Sequence, residues 1–128
     1  MMMGLKFRID LSEDYVFTGN RSLFNTLLMN VVNNAIKYNL PSGSVHIYDS
    51  GTTDRYQLSI EDSGQGMDLN EVQHAFQRFE KFQSEKEDSH GLGLSIVKSI
   101  ASFHGIDIEI ESQKNKGTRV VITFSRKG

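Results

Sequence analysis

The chain has 128 residues, enough for one domain with a single hydrophobic core and too few for two ordinary domains. Hydrophobic residues make up 38% and charged residues 23%, which is typical of a soluble globular protein and excludes a disordered or collagen-like chain. The net charge of -2 argues against nucleic acid as a partner, and the lack of cysteine excludes disulfides and thiolate metal sites. No segment approaches the roughly 20 apolar residues of a membrane helix, so we expect no membrane contact by this domain.

The first half of the chain predicts strands around one long helix. Residues 5–11 alternate apolar and polar side chains as a strand does, and residues 15–17 predict a short companion strand. Asn20 or Ser22 caps a helix that ends at about Tyr38. Residues 45–48 and 56–60 then predict two neighbouring strands joined by a turn.

The second half predicts two helices and a final hairpin. Residues 68–76 form a short helix capped by Asp68 or Asn70, and residues 80–90 read as a mobile loop. A second strong helix begins at about Gly93 and stops at Gly105, followed by strands at 106–110 and 120–124. The whole chain, residues 1–128, is therefore predicted to be one α/β domain with helices on one face of a mixed, largely antiparallel sheet.

The first helix carries a group of polar side chains on one face. Asn30, Asn34 and Lys37 cluster nearly opposite an apolar stripe, at about 100° per residue. The stripe consists of Phe24, Leu28, Val31, Val32 and Ala35. Such a polar face is commonly only solvated, so its meaning depends on the rest of the chain.

Two glycine motifs could accommodate a ligand. Asp62 is followed by Gly64 and Gly66, which permit close backbone approach, although an ordinary turn has the same composition. Residues 91–94 are Gly-Leu-Gly-Leu at the start of the second helix, where free N–H groups attract phosphate. This second motif is neither a dinucleotide fingerprint nor a P-loop, and a glycine-softened loop entry is the alternative.

Taken in order, these motifs resemble the catalytic domain of sensor histidine kinases across nearly the whole chain. Each motif is weak alone, but the ordered set is specific. The matches are an asparagine box at 30–38, a first glycine box at 62–67, a phenylalanine box at 76–79, a second glycine box at 91–94 and a Gly-Thr pair at 117–118.

The resemblance implies the Bergerat ATP-binding fold, a two-layer α/β sandwich with about three helices, and a site for ATP and Mg²⁺. Asp62 would accept a hydrogen bond from the adenine amino group, and Gly64 and Gly66 would shape the pocket. Met67 and Tyr38 would lie against the base. Thr118 would reach the base directly or through water.

The same resemblance assigns the phosphate end of the nucleotide. Asn34 would bind Mg²⁺, and Asn30 and Lys37 would hold metal or phosphates as part of the catalytic machinery. The second glycine box would contact the nucleotide through Gly91, Leu92, Gly93 and Leu94. An ATP lid would span about 67–92, with Arg78 as the first candidate for a cation over the γ-phosphate and Lys81 as the second.

Asn30 distinguishes between members of this superfamily. ATP-hydrolysing relatives and anti-sigma-type serine kinases have a glutamate base there, and an amide cannot accept a proton. Transfer to histidine fits, because a neutral imidazole is itself a nucleophile. An ATPase or serine kinase, and a regulatory module that binds nucleotide without transfer, remain the alternatives.

The phosphorylated histidine is expected outside this chain. The family's acceptor is a helical His followed by an acidic residue and a proline, and His46, His74, His90 and His104 lack that context. We therefore expect the partner to be the dimerisation and phosphoacceptor domain of the parent kinase, with a response regulator served indirectly. The location is expected to be cytoplasmic, with a parent kinase that could be membrane-anchored.

Overall fold

The sheet and helices follow the predicted order along the chain. The computed structural model describes residues 4–77 and 89–126, with side chains over 4–73 and 95–126. The elements are β1 (Lys6–Asp10), α1 (Arg21–Lys37), β2 (Ser44–Gly51), β3 (Arg55–Asp62), α2 (Leu69–Gln77), α3 (Ser89–His104), β4 (Asp107–Gln113) and β5 (Gly117–Ser125).

The five strands form one sheet in the order β1-β2-β3-β5-β4. β1 pairs with β2 in parallel and the other three pairs are antiparallel, which confirms the predicted mixed, largely antiparallel sheet. β5 lies between β3 and β4 although it comes last in the sequence. Its register sets Thr118 opposite Asp62 on one side and opposite Ser112 on the other.

The helices pack on one face of the sheet, as predicted, to form a two-layer α/β sandwich. The opposite face is polar: the Tyr48 hydroxyl donates to Glu61 at 2.8 Å, and Arg119 pairs with Glu111. The core between the layers contains Leu27, Val31, Ala35, Val45, Tyr56, Ile60, Val97, Ile100, Ala101, Ile106, Val120, Ile122 and Phe124.

Helix α1 begins at the predicted cap but is rotated from its predicted orientation. The Asn20 side chain accepts from the Leu23 N–H at 2.9 Å. The fully buried residues of α1 are Leu27, Val31 and Ala35, whereas the predicted stripe omitted Leu27. α1 packs against both α3 and β3, and its buried face therefore turns toward Leu27.

This rotation corrects the prediction for the polar face of α1. Asn34 does not lie opposite the apolar stripe, because it neighbours the buried side and is itself half-buried. At 17 residues α1 is shorter than a bilayer span, and none of the described helices is long and apolar enough to cross a membrane.

The predicted strand at residues 15–17 is wrong, because this segment is irregular and packs through its side chains. The Tyr15 ring stacks on Tyr56 with centroids 4.4 Å apart, and Phe17 contacts Phe124 at 5.0 Å. Just before this segment, the Asp49 carboxylate accepts a hydrogen bond from the backbone N–H of Ser12 at 2.8 Å. This side-chain contact takes the place of the backbone hydrogen bonds of a strand.

Helix α2 has the predicted cap, whereas helix α3 begins earlier than predicted. Asp68 caps α2 as predicted: its carboxylate accepts from the Glu71 N–H, and Glu71 accepts from the Asp68 N–H, both at 2.9 Å. α3 begins at Ser89, four positions before the predicted Gly93. Glycine costs a helix only about 1 kcal/mol relative to alanine, so it does not prevent the earlier start.

The turn after β3 packs tightly against the β4–β5 turn. Gly66 has φ +71°, and a Cβ on Gly66 would overlap the carbonyl oxygen of Gln113. The Asn115 N–H also donates to the Gln65 carbonyl at 2.6 Å. Glycine at position 66 is therefore required both by backbone angle and by space.

We expect Gly66→Ala to destabilise the fold far more than Gly105→Ala. Gly105 also has a positive φ, +68°, but nothing lies within 4 Å of a Cβ there. Alanine at 105 adds only backbone strain of about 1 kcal/mol, while alanine at 66 must also displace the β4–β5 turn, for a total of about 3 kcal/mol or more. Urea unfolding of both variants measures the difference, and equal losses would contradict the close packing at Gly66.

Candidate functional site

Asp62, the last residue of β3, is a half-buried carboxylate beneath the helical layer. Its Oδ1 accepts from the Gly64 N–H at 2.8 Å, and the Thr118 N–H also donates to it. Burial raises the pKa of Asp62 to about 6, although these two hydrogen bonds act to lower it. A desolvated carboxylate held by backbone donors is a strong acceptor for a ligand amino group.

A cavity with a small inner part and a larger outer part adjoins Asp62. The inner part measures about 30 Å³ and the outer part about 370 Å³, and both are lined by Asp62, Met67 and Thr118. The inner lining also contains Val31, Asn34, Ala35, Ile60, Ile110 and Val120. The outer lining also contains Tyr38, Gln65, Gly66, Glu71, Lys114 and Asn115.

This division limits where a planar base can fit. The inner volume is about that of one water molecule in the liquid, too small for a purine. The outer part is large enough, and a base there could reach Asp62 with one edge. An open groove of about 690 Å³ continues past Asp62 and Thr118 beneath Leu69 and Val72 of α2.

Asn34 presents a polar group to the inner cavity. Its Nδ2 is buried, and no hydrogen-bond partner for that atom lies among the described residues. A buried amide without a partner is costly in a closed core but useful where a ligand binds. Half a turn of the carboxamide would present Oδ1 instead, which is the kind of oxygen that Mg²⁺ prefers. The side chain therefore fits the metal role that the resemblance implies.

Carboxylates and histidines do not supply a metal site in the part of the chain that the structure describes. No three His, Cys, Asp or Glu side chains come together there. A magnesium ion would therefore depend on amide oxygens such as that of Asn34, together with phosphates and water.

Met67 and Thr118 are held in place by Ser112, which the sequence analysis missed. The Ser112 hydroxyl accepts from the Met67 N–H at 2.8 Å and lies 2.7 Å from the Thr118 hydroxyl. Ser112 continues the half-buried side of β4 formed by Ile108 and Ile110. A serine at a strand position that otherwise carries half-buried isoleucines was the sequence signal that could have identified Ser112.

Among the other residues predicted on α1 or at its end, Tyr38 lines the cavity and Asn30 and Lys37 do not. Tyr38 lines the outer part, but the exposed Lys37 places its ammonium 5.4 Å from the Tyr38 ring centre. The Asn30 Nδ2 donates to the Thr26 carbonyl at 2.8 Å, and Asn30 does not line either part of the cavity. The structure therefore brings Asn34 and Tyr38 together with Asp62 around the cavity, and leaves the half-buried Asn30 and the exposed Lys37 outside its lining.

The glycines of the first box act at different places. Gly66 lines the outer cavity, whereas Gly64 is buried against the end of α1, where a Cβ would overlap the Tyr38 carbonyl oxygen. The buried Asn39 behind this turn was also missed by the sequence analysis. A carboxamide between a helix end and Pro41 looks like ordinary turn sequence, so no signal singled it out.

The second glycine box and the lid cations are less fully described. The backbone of Gly91, Leu92, Gly93 and Leu94 lies within the first turns of α3, because the helix starts at Ser89. The amide groups without helical partners are therefore those of residues 89–92 rather than those following Gly93. Arg78 and Lys81 lie outside the described residues.

Comparison with known proteins gives a consistent family. The family described as "Histidine kinase-, DNA gyrase B-, and HSP90-like ATPase" matches residues 19–128. The heme sensor protein HssS of Staphylococcus saprophyticus is 37% identical over 114 residues, which cover 89% of this chain and 25% of HssS. Sensor histidine kinase YvrG of Bacillus subtilis is 29% identical, over 89% of this chain and 20% of YvrG. The chain thus spans about a quarter or less of the length of these curated relatives.

Solved structures agree with the sequence relatives. The mycobacterial sensor histidine kinase MprB superposes with a TM-score of 0.80 at 27% identity, covering 95% of this chain and 82% of that structure. The nucleotide-free catalytic domain of histidine kinase ThkA gives a TM-score of 0.80 at 25% identity, covering 97% and 82%. The chain belongs to the histidine kinase-, DNA gyrase B- and HSP90-like ATPase family, and within that family it is similar to the catalytic domains of sensor histidine kinases.

Proposed function

We propose that this chain binds ATP with Mg²⁺ and donates the γ-phosphoryl group to a histidine on a separate dimerisation and phosphoacceptor domain, in two-component signalling. The observation that carries the proposal is the half-buried Asp62 carboxylate, which lines both parts of one cavity together with Met67 and Thr118. The similarity to sensor kinases supports the same reading.

The outer cavity suits adenine in shape and polarity. Asp62 accepts from the exocyclic amino group at the base edge, and Thr118 lies beside it for a direct or water-mediated contact. Met67 is buried at 6% exposure and offers an apolar surface to the ring, with Tyr38 across the opening. Polar recognition at one edge and apolar contact on the faces is the usual composition of a small-molecule site.

The phosphate end extends from Asn34 toward the exposed side of α1. Asn34 would hold Mg²⁺ through its amide oxygen, and the ion would supply charge neutralisation for the phosphates. Asn30 and Lys37 lie on the same helix as Asn34, and the Asn30 amide oxygen and the Lys37 ammonium would contact metal or phosphates. The first amides of α3 provide an anion site at a helix N-terminus.

The transfer step needs no base from Asn30. A neutral imidazole nitrogen attacks the γ-phosphorus, the bond to the β-phosphate oxygen breaks, and ADP leaves as the imidazole acquires the phosphoryl group. The ring proton passes to solvent or to a base on the acceptor domain. The contribution of this chain is to position the nucleotide and neutralise its charge.

The partner is then the acceptor domain of the parent kinase, with a response regulator downstream. The similarity to a heme sensor protein and to a sensor histidine kinase supports this two-component role. A cytoplasmic location follows from the proposed use of ATP, whatever anchors the parent kinase.

The alternative functions differ from this proposal at identifiable residues. An ATPase or serine kinase of the same family remains a candidate because the family includes ATPases, but Asn30 provides no general base. A nucleotide-binding module without transfer is the third candidate, and it depends on lid residues outside the described part of the chain.

Asp62→Asn should separate stability from binding. The pKa of Asp62 is higher in the folded state than in the unfolded state, so protonation of this carboxyl favours folding. This contribution to the free energy of unfolding is complete below the unfolded pKa of 3.8 and is lost as pH rises through the folded pKa of about 6. After allowance for solvent screening, we expect the asparagine variant to gain about 1 kcal/mol at pH 7.5 and little at pH 4. The same variant should bind ATP at least about tenfold more weakly at pH 7.5, because a charged acceptor is lost.

Urea unfolding at the two pH values and calorimetric titration with ATP provide these measurements. Asp107→Asn, an exposed carboxylate at the start of β4, is the matched control. Unchanged ATP affinity in a folded Asp62→Asn variant would remove Asp62 from the base site.

Asn34→Ala should abolish the magnesium-dependent part of ATP binding without lowering stability much. The amide removed has a buried nitrogen with no partner among the described residues, so we expect a change within about 1 kcal/mol. Thermal stabilisation by ATP with Mg²⁺ should collapse, since it follows the affinity, while the shift with ATP and EDTA should change little. Asn33→Ala, one position away and exposed, should behave like the unaltered protein. A lower melting temperature with an intact Mg-ATP shift would make Asn34 structural.

Incubation with γ-labelled ATP tests the transfer itself. We expect acid-labile label on an added phosphoacceptor domain of a similar sensor kinase and none on this chain. His104 has both ring nitrogens engaged, by the Asn20 N–H at 3.0 Å and the Ile100 carbonyl at 3.0 Å. The Nε2 of His46 is hydrogen-bonded to the Asp10 carboxylate at 2.8 Å. Rapid label on any histidine of this chain, or phosphate release without acceptor, would favour the alternatives.

A further inference from the structure

Asn39 is a buried polar residue directly after the C-terminal end of α1. Its exposure is 3%, and its side chain contacts two parts of the molecule that meet behind the candidate site. Buried polar groups of this kind are retained only where their hydrogen bonds are satisfied. The partners of Asn39 therefore indicate which parts of the fold it joins.

On the helix side, Asn39 completes the last turn of α1. Its Nδ2 donates to the Ala35 carbonyl at 3.1 Å, and its backbone N–H donates to the Ile36 carbonyl at 3.2 Å. The final carbonyls of a helix lack partners, so the side chain takes the place of the next N–H. Ala35 adjoins Asn34, the proposed metal ligand.

On the sheet side, the same carboxamide reaches the backbone beside the first glycine box. The Nδ2 donates to the Ser44 carbonyl at 3.0 Å, and the Ser63 hydroxyl lies 3.5 Å from Oδ1. Ser63 also accepts from the Ser44 N–H at 2.9 Å. Ser63 follows Asp62, so this contact lies one residue from the proposed base-recognition carboxylate.

The space around Asn39 leaves the carboxamide little freedom. A Cβ on Gly43 would overlap the Asn39 Oδ1, and a Cβ on Gly64 would come within 2.9 Å of the Asn39 Cα. The Gln65 N–H donates to the Tyr38 carbonyl at 3.0 Å beside it. The end of α1 and the glycine turn are thus held in one relative position by close backbone packing and by the side chain of Asn39 between them.

We propose that Asn39 is a positioning residue that fixes the base-binding turn at Asp62 relative to the metal-binding turn of α1 at Asn34. The inference rests on the proposed function and identifies how its two halves are aligned. One ATP molecule must satisfy Asp62 with its base and Asn34, through the metal, with its phosphates. The second contact is favourable only if the first holds the nucleotide at the right distance.

This coupling predicts a specific defect when Asn39 is altered. Base recognition alone does not need the alignment, so ATP binding in EDTA should survive. The additional affinity that Mg²⁺ gives should fall, because the metal contact no longer coincides with base binding. The diagnostic quantity is the ratio of the ATP Kd in EDTA to the ATP Kd in Mg²⁺.

Calorimetric titrations of the 128-residue chain measure this ratio. For Asn39→Ala we expect the ratio to fall about tenfold, with the Kd in EDTA changed by about twofold or less. Asn39→Thr, whose hydroxyl can replace one of the lost bonds, should lie between alanine and the unaltered protein. Ser63→Ala removes only the longer of the two sheet-side contacts, so it should reduce the ratio in the same direction but by less than Asn39→Ala, while Asn33→Ala should not change it.

The melting temperature of each variant separates positioning from a merely structural role. A lower melting temperature with an unchanged ratio would overturn the inference, and so would equal losses of affinity in EDTA and in Mg²⁺. If Asn39→Ala does not fold, Asn39→Thr and Ser63→Ala decide by the same criteria. A ratio of one in the unaltered protein would instead contradict the proposed magnesium role, so the two failures are distinguishable.

Discussion

The burial of the Asp62 carboxylate is the constraint around which the rest of the site is arranged. The charge lies where β3 ends, and it is stabilised by backbone N–H groups of Gly64 and Thr118. Those two donors come from different parts of the chain, and they meet only because β3 pairs with β5 in the register that sets Asp62 opposite Thr118. A shift of one residue in that pairing would move the carboxylate to the helix-free face.

The same burial explains why the site is less stable than an apolar core would be. A partly desolvated carboxylate and a buried Asn34 amide without a described partner both disfavour the folded state. Around them the chain is tightly packed: glycines at 64 and 66 allow backbone to touch backbone, and Ser112 satisfies the Met67 N–H. Local destabilisation in an otherwise well-packed region is what a ligand site requires, because binding then replaces the missing interactions.

Sequence patterns predicted the five strands and three helices of the described residues better than they predicted which side of a helix is buried. Alternation and caps depend on local chemistry, so Asn20, Asp68 and the final hairpin were found correctly. Which side of α1 is buried depends on the elements that the helix packs against. The predicted apolar stripe omitted Leu27, and Asn34 was therefore assigned wrongly to the solvent-facing side of the helix. Residues 15–17 looked like a strand because their aromatic side chains alternate, but those rings pack on Tyr56 and Phe124 without a ladder.

Each of the two residues that sequence reasoning missed has one partner far along the chain, Ser63 for Asn39 and Met67 for Ser112. The role of Ser112 can be recognised only when it is known that β4 faces α2 and the glycine turn. The role of Asn39 can be recognised only when it is known that Ser44 and Ser63 lie beside it. Motif order identified the family, because the ordered set of motifs is specific although each motif is weak alone. They could not identify the side chains that hold those motifs together.

The position of β5 also determines when the site can form during folding. β5 is last among the described strands in sequence, yet it separates β3 from β4, so neither the Asp62–Thr118 pair nor the Ser112–Met67 hydrogen bond exists until distant segments meet. Contacts of such long sequence separation form slowly, because loop closure must precede their benefit. We therefore expect the cavity to form late in folding, so that a ligand bound in the finished cavity would slow unfolding and would have nothing to bind in the early chain.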